Sequence, residues 1–208
     1  MDSSNQNQQY YLTDAVVNDY MQLINTHYGS DVYVFDTFFY LNLCERGFDS
    51  VKRWAKKIDL FSKKKLMFPI NLKSISHWVL VCADLETKEL KYLDSLHGYN
   101  VNVLLKLFEY LRKIHMDRVG TPFCTNQWNL KRLDNTLVPK QSNGYDCGVF
   151  VCTFAKYLAR GAKFNFAQTN MQWFRNLITY ELHKHKIVPV DVDGEEIESF
   201  IRNVLNGQ

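Results

Sequence analysis

The stretch Gln141-Ser142-Asn143-Gly144-Tyr145-Asp146-Cys147-Gly148 leads from a turn into an apolar run. Asn-Gly is a turn signal, and the residues from Gly148 to Leu158 predict a mostly buried helix. Cys147 would then lie at a helix N-terminus, where the dipole and the free N–H groups favour a thiolate. The amide of Gln141 could join the Cys147 backbone N–H in an oxyanion hole. A structural cysteine is the other interpretation, and both stay open at this point.

A histidine and an aspartate upstream could complete such a site. Two strand-like runs, Trp78–Ala83 and Glu89–Leu93, flank the polar loop Asp84–Thr87 and predict a hairpin. Opposed side chains have Cβ atoms roughly 4.5–5.5 Å apart, which allows an imidazole–carboxylate hydrogen bond. Closing the loop with Ala83 opposite Lys88 gives these pairs: Val81 with Leu90, Trp78 with Leu93, and His77 with Asp94. A thiolate beside an imidazolium is the activated nucleophile of acyl-transfer enzymes. A strand-edge histidine without chemistry is the alternative.

The rest of the chain predicts helices at both ends and strands between them. Thr13 can cap a first helix, and Val32–Leu43 fits either a strand or a buried helix. Other predicted segments are a strand at Leu66–Leu72, a short strand that includes Trp128, and helices at Val101–Ile114, Met171–Leu182 and Glu195–Leu205. Residues 1–10 read as a flexible tail, and no linker divides residues 11–208. The expectation is one α+β domain with an extra C-terminal helix at about residues 195–205.

Composition excludes several classes of protein. With 208 residues, of which 46% are hydrophobic, the chain can bury a real core and is not a disordered protein. Its apolar runs are too short to span a bilayer, and its polar first residues predict no secretory signal. The net charge of +3 is too weak to indicate nucleic-acid binding. The five cysteines are scattered without a C-x-x-C pair, which fits neither a disulfide framework nor a zinc site.

Taken together, these motifs resemble the Ulp/sentrin-specific protease family, cysteine peptidases that process SUMO and remove it from conjugates. The resemblance spans roughly Tyr11 to Lys186. It rests on these segments: His77-Trp78, Asp94-Ser95, the Gln141–Gly148 stretch, Tyr11-Leu12-Thr13-Asp14, Phe35-Asp36-Thr37-Phe38-Phe39, Val51-Lys52-Arg53-Trp54 and Phe68-Pro69-Ile70. It implies a papain-like α+β fold with a central mixed β-sheet flanked by helices.

The resemblance also implies roles for individual residues. His77 would be the general base, Asp94 its orienting carboxylate, Cys147 the nucleophile and Gln141 the oxyanion donor, with no metal and no organic cofactor. Trp78 matches an indole that covers the substrate tunnel and selects a Gly-Gly C-terminus. Four positions match contacts with the SUMO body: Asp14, Phe35, Arg53 and Trp54. Each of these four also has a purely structural interpretation, as a helix-terminus charge, a core aromatic or a solvated cation.

Three departures from the family pattern bear on specificity. Tyr11 replaces a tryptophan in the tunnel wall, Lys73–Ser76 lengthens the loop before His77, and the predicted last helix lies beyond the usual family end. The alternatives to a SUMO protease are the same chemistry on NEDD8 or ubiquitin, a non-catalytic SUMO-binding module, and an acetyltransferase on a related scaffold. A monomer that contacts neither nucleic acid nor membrane is expected. The resemblance alone implies a nuclear location, with the cytoplasm as an addition.

Overall fold

The computed structural model describes residues 11–188, 198–199 and 201–203. Six helices and five strands form the framework of this described part. The helices are α1 (Asp14–Tyr28), α2 (Phe38–Arg46), α3 (Phe48–Val51), α4 (Val101–Val119), α5 (Cys147–Arg160) and α6 (Met171–Lys184). The strands are β1 (Val32–Val34), β2 (Lys65–Leu72), β3 (His77–Asp84), β4 (Glu89–Leu93) and β5 (Asn129–Arg132).

The five strands form one mixed sheet in the order β1-β2-β3-β4-β5. The outer pairs β1–β2 and β4–β5 are parallel, whereas β3 is antiparallel to both of its neighbours. All eight residues of β3 are buried, as expected for a central strand that is covered on both faces. This architecture confirms the predicted α+β class with a central mixed sheet.

Helices cover both faces of the sheet because the strands alternate apolar side chains between them. On β3, Trp78, Leu80 and Cys82 join the cluster that contains residues of α1, α5 and α6. The intervening Val79, Val81 and Ala83 join the cluster that contains residues of α2 and α4. The helix that begins at Cys147 is therefore held directly against the strand that begins at His77.

Most predicted elements are present, with shifted ends. The ambiguous segment Val32–Leu43 contains both a strand, β1, and the start of a helix, α2. The strand assignment of Trp128 is wrong. Its backbone N–H closes the 3₁₀ turn Thr125–Gln127, its ring packs on Phe108 and Phe123, and β5 begins one residue later.

The two predicted end segments fall mostly outside the described residues. The tail at residues 1–10 lies entirely outside them. Of the predicted helix Glu195–Leu205, residues 198–199 and 201–203 are helical, and the rest lies outside. Ile201 packs against the core cluster of α1, α5 and α6. Within the part of the chain that the structure describes, no helix is both long and apolar enough to cross a membrane.

Candidate active site

Cys147 is the first residue of α5, and the turn before it is built by Asn143. The side-chain carbonyl of Asn143 accepts hydrogen bonds from the backbone N–H groups of Tyr145 (3.2 Å) and Asp146 (3.1 Å). Asp146 stands at the N-cap position, yet its carboxylate caps no helix N–H. Cys147 is buried, and its Sγ interacts with the ring of His77. The turn thus delivers the thiol to a helix end whose N–H groups are not taken by an N-cap side chain.

The structure brings His77 and Asp94 together, but through a hairpin register that differs from the predicted one. Ala83 pairs with Leu90 instead of Lys88, and Leu80 pairs with Leu93 instead of Trp78. The loop is therefore Leu85–Lys88, not Asp84–Thr87. The predicted pairs of Val81 with Leu90 and of His77 with Asp94 are wrong for the same reason.

The shift has a local cause in the loop and in the charges beside it. Leu85 is buried, Lys88 has a positive φ of 57°, and Asp84 accepts the backbone N–H of Thr87. Lys91 lies between the carboxylates of Asp84 and Glu89, which form the last pair of the ladder. Because the shift is two residues, every side chain keeps its face of the sheet. His77 and Asp94 meet as diagonal neighbours, with 2.6 Å between His77 Nε2 and Asp94 Oδ1.

The Asp94 carboxylate is held by a tight backbone turn. Its Oδ1 accepts the N–H of Leu96 (2.8 Å) and its Oδ2 accepts the N–H of Gly98 (3.1 Å). His97, between them, adopts a positive φ of 60° and its ring contacts the carbonyl of Val138 at 2.9 Å. A Cβ on Gly98 would stand 2.5 Å from Asp94 Oδ2, so a larger residue here would displace the carboxylate. The turn fixes the position of the carboxylate that His77 binds.

The environment of His77 favours the imidazolium. Burial lowers the pKa of His77, but hydrogen bonds to Asp94 and Cys147 and the negative charges of both outweigh it and raise the pKa to about 9. Since Nε2 is engaged by Asp94, Nδ1 is the ring atom left for the sulfur. The arrangement matches a protonated ring between a carboxylate and a thiolate.

Gln141 is oriented by Ser95, the residue after Asp94. The Ser95 hydroxyl donates to Gln141 Oε1 at 2.8 Å, and the Ser95 carbonyl accepts the Gln141 backbone N–H at 2.7 Å. This assigns the amide, because Nε2 must then be the donor end, and one of its N–H groups binds the carbonyl of Asn143 at 2.5 Å. The second N–H is the one available to an oxyanion. Sequence reasoning noted Ser95 within a motif and missed this function.

Trp78 lies over the start of α5. It is buried, and a Cβ added to Gly148 would stand 2.9 Å from Leu12 Cβ and 3.5 Å from Trp78 Cδ1. The backbone after Cys147 therefore approaches Trp78 and Leu12 closely, which only glycine permits. Tyr11 lies next to Leu12 and is exposed.

The predicted SUMO-contact residues occupy different environments. Asp14 begins α1 and pairs with Lys73 of the long loop at 3.4 Å. Arg53 is exposed, and Trp54, also exposed, donates its indole N–H to the carbonyl of Ser50. Phe35 is only 1% exposed and stacks on Phe68 with ring centroids 4.5 Å apart. The structure therefore places Phe35 in the core, which matches its structural interpretation and offers a partner no surface.

The model of the Ulp1 protease family, C-terminal catalytic domain, matches residues 10–188. The chain belongs to the Ulp1 protease family. A Caenorhabditis elegans sentrin-specific protease is 34% identical over 184 residues, which are 86% of this chain and 26% of that protein. Human sentrin-specific protease 2 is 35% identical over 177 residues, 83% of this chain and 30% of that protein. This chain thus spans less than a third of the length of these curated relatives.

Solved structures of the Ulp1 family have the same fold. The C-terminal Ulp1 protease domain, crystallised in complex with Smt3, the yeast ortholog of SUMO, is 33% identical, with a TM-score of 0.71. The alignment covers 84% of this chain and 77% of that one. A SUMO protease Ulp1 whose catalytic cysteine is oxidized to a sulfonic acid gives 32% identity and a TM-score of 0.72, covering 84% of this chain and 78% of that one.

Proposed function

We propose that this member of the Ulp1 family is a cysteine protease that cleaves after the C-terminal Gly-Gly of SUMO. It would act both as an isopeptidase that removes SUMO from lysines and as an endopeptidase that matures SUMO precursors. The observation that carries the proposal is the His77 ring, which lies 2.6 Å from Asp94 Oδ1 and whose raised pKa reflects both Asp94 and the thiol of Cys147.

In the first half of the reaction, the Cys147 thiolate attacks the carbonyl carbon of the terminal glycine while His77 holds the proton. The carbonyl oxygen becomes an oxyanion that accepts hydrogen bonds from Gln141 Nε2 and the Cys147 backbone N–H. The C–N bond then breaks, and His77 Nδ1 gives its proton to the leaving lysine amine. The product is a thioester between SUMO and Cys147.

In the second half, water attacks the thioester and His77 takes one of its protons. Collapse of the second tetrahedral intermediate breaks the C–S bond, which releases the SUMO C-terminus as a carboxylic acid and regenerates the thiolate–imidazolium pair. The acid then loses its proton to solvent as the carboxylate.

The close approach of Trp78, Leu12 and Gly148 supports the proposed specificity. A substrate chain that passes this point to reach Cys147 has little room for side chains, and a Gly-Gly end has none. Tyr11 would form one wall of this passage. For the SUMO body we propose contacts with Asp14, Arg53 and Trp54, and we leave out the buried Phe35. The basic residues of the Val51–Lys65 segment would steer the encounter with an acidic partner surface.

The decisive experiment uses SUMO, NEDD8 and ubiquitin that carry a C-terminal thiol-reactive group. We expect a covalent adduct with the SUMO probe, lost in Cys147→Ala and kept in Cys124→Ala, which removes an exposed cysteine. An adduct with NEDD8 or ubiquitin instead would keep the chemistry and overturn the substrate. No adduct from folded protein would contradict the protease assignment and leave a SUMO-binding module.

We further propose that the chain acts as a monomer in the nucleus, without nucleic-acid or membrane contacts and without a cofactor. Within the described residues, no three His, Cys, Asp or Glu side chains lie together as a potential metal site. Sedimentation of the purified chain and imaging of the tagged protein in its own cells would test the oligomeric state and the location.

A further inference from the structure

The buried carboxylate of Asp146 lies immediately before the nucleophile, where an uncompensated negative charge would disfavour a thiolate. Asp146 is 3% exposed. Its Oδ1 accepts two hydrogen bonds from Arg175 of α6, from Nε at 2.9 Å and from Nη2 at 2.6 Å. Arg175 Nη2 also reaches the carbonyl of Tyr145 at 3.3 Å. A cation from a distant helix thus neutralises the negative charge nearest to Cys147 along the chain.

Gln168 binds both ends of the loop Ser142–Asp146. Its Nε2 donates to Asp146 Oδ2 at 2.7 Å, and its Oε1 accepts the backbone N–H of Ser142 at 2.9 Å. Ser142 follows the proposed oxyanion donor Gln141, and Asp146 precedes the proposed nucleophile Cys147. One side chain therefore ties together the backbone neighbours of two groups that must converge on one carbonyl.

We propose that Gln168 and Arg175 are positioning residues for the cleavage reaction, acting through Asp146 and the loop that carries Gln141 and Cys147. Gln168 sets the distance between the oxyanion donor and the sulfur, and Arg175 offsets the Asp146 charge beside the thiolate. This inference rests on the proposed function. Neither residue touches the substrate or the reacting atoms in this assignment.

The Gln168 part is tested with Gln168→Met, which keeps the side-chain length and removes both hydrogen-bonding groups. We expect kcat to fall roughly 10- to 100-fold with KM nearly unchanged, because misplacement by about 1 Å has that effect. Gln172→Met is the matched control, since Gln172 is exposed and its side-chain amide donates a hydrogen bond to Asn176 of the same helix, away from the Ser142–Asp146 loop. Melting temperatures measured alongside separate misplacement from loss of fold.

A double variant distinguishes positioning from general weakening of the structure. If Gln168 acts through the oxyanion donor, adding Gln168→Met to Gln141→Met lowers kcat little further, so the two effects are not additive. Full additivity would contradict the proposal. The rate of Cys147 alkylation by iodoacetamide should stay near the wild-type value in Gln168→Met, because the thiolate–imidazolium pair remains intact.

For Arg175 we predict a change in the pH dependence of Cys147 alkylation, in contrast to the unchanged alkylation rate expected for Gln168→Met. In Arg175→Gln the Asp146 carboxylate keeps its hydrogen bonds from Gln168 and Asn143 but loses its cation. Its negative charge then repels the thiolate, so the pH profile of Cys147 alkylation moves to higher pH. Arg175→Lys should restore much of the profile, and Asp146→Asn combined with Arg175→Gln should restore it by removing the charge. Arg112→Gln, which breaks an exposed pair with Glu109, is the control and should leave the profile unchanged.

The outcomes separate this inference from the proposed function. A wild-type chain that fails to react with the SUMO probe contradicts the proposed function. A wild-type chain that reacts, together with Gln168→Met and Arg175→Gln variants that match it in kcat and in alkylation profile, leaves the function standing and overturns the positioning roles.

Discussion

Two hydrogen-bonded charge pairs lie buried at two points along the nucleophile helix, α5. At its N-terminus, His77 Nε2 lies 2.6 Å from Asp94 Oδ1. Nine residues into the same helix, Lys156 Nζ lies 2.6 Å from Glu181 Oε1 of α6. The two pairs have the same length and similar burial, but we assign them different roles.

The difference begins with what surrounds each carboxylate. Glu181 also accepts the hydroxyl of Tyr20 at 2.5 Å and the backbone N–H of Val188 at 2.7 Å, so it ties α1, α5 and α6 together. Asp94 accepts hydrogen bonds from two backbone N–H groups of its own turn, and His77 is the side chain that it binds. One carboxylate joins three helices, and the other aims a single ring at a sulfur.

The pKa values move in opposite directions at the two pairs. Burial lowers the pKa of Lys156 more than the attraction of Glu181 raises it. At His77 the hydrogen bonds and charges of Asp94 and Cys147 outweigh burial, and the pKa rises to about 9. The His77 ring donates and accepts a proton during the proposed reaction, whereas Lys156 is confined to its buried contact with Glu181 and lies away from the reacting atoms. Buried pairs with similar geometry can therefore support catalysis or architecture, depending on the cation.

The largest expected effect comes from breaking the catalytic pair. In Asp94→Asn the side-chain amide can donate to His77 Nε2, which forces the ring proton onto Nδ1, the nitrogen that must accept the thiol proton. We expect kcat/KM for SUMO cleavage to fall by about 10³- to 10⁴-fold, as for a triad with the wrong tautomer. Glu109→Gln, an exposed carboxylate on α4, is the control. A loss below tenfold would show that Asp94 does not orient the ring.

Breaking the core pair should instead reduce stability. Lys156→Met leaves the Glu181 carboxylate buried without its cation, which lowers the free energy of unfolding by about 3–5 kcal/mol. Urea denaturation measures this loss, and kcat per folded molecule should stay at the wild-type value. Adding Glu181→Gln should recover part of the stability, because the unpaired charge is then gone while the amide oxygen can still accept one of the hydrogen bonds that Glu181 receives from Tyr20 and Val188. A variant with normal stability and low kcat would contradict the division between the two pairs.

Sequence reasoning approached these two regions with unequal success. His77, Asp94 and Cys147 were brought together because residue types with acyl-transfer chemistry stand near strand and helix ends. The hairpin register was wrong by two residues, since the buried Leu85 and the bridging Lys91 were not visible as loop determinants. The even shift left both side chains on one face, so the pairing survived a wrong ladder.

The supporting residues could not be predicted in the same way. Lys156 pairs with Glu181 across two helices, and Gln168 and Arg175 reach Asp146 from 22 and 29 residues further along the chain. No periodicity or local spacing encodes such contacts, because they depend on how α5 and α6 pack. Phe35 illustrates the converse: its place in a motif suggested a surface contact, and the aromatic core around Phe68 buries it.

A smaller effect is expected in the pH dependence of kcat/KM. His77 must be protonated to pair with the thiolate and to protonate the leaving amine, so kcat/KM should fall as pH rises through about 9. The raised pKa also stabilises the fold fully below the unfolded value of 6.5, and this stabilisation is lost as pH rises through about 9. In Asp94→Asn the alkaline limb should move to lower pH, whereas Lys156→Met should leave it unmoved. Cleavage rates measured against pH at constant ionic strength give the alkaline limb of each variant. Equal shifts in Asp94→Asn and Lys156→Met would contradict the assignment of Asp94 as the residue that raises the pKa of His77.

The smallest expected effect comes from an exposed pair, which extends the comparison to a solvated site. Lys73, in the loop before His77, lies 3.4 Å from Asp14, and both side chains are partly exposed. Such a pair contributes between about 0 and 1 kcal/mol, and salt screens it. We expect Lys73→Ala to leave stability unchanged and to lower KM for SUMO by less than about threefold at low salt, because Asp14 becomes free to contact the partner.

Lys113→Ala is the matched control for that measurement, since it breaks a pair of similar length, 3.5 Å, with Glu109 on α4. Raising the ionic strength should remove the difference between Lys73→Ala and wild type and leave the control unchanged. If KM rises instead, Lys73 itself contacts the partner and the long loop adds to the binding surface. If kcat changes at constant KM, the loop acts on His77. Lys73 would then belong with the catalytic pair and not with the exposed pairs.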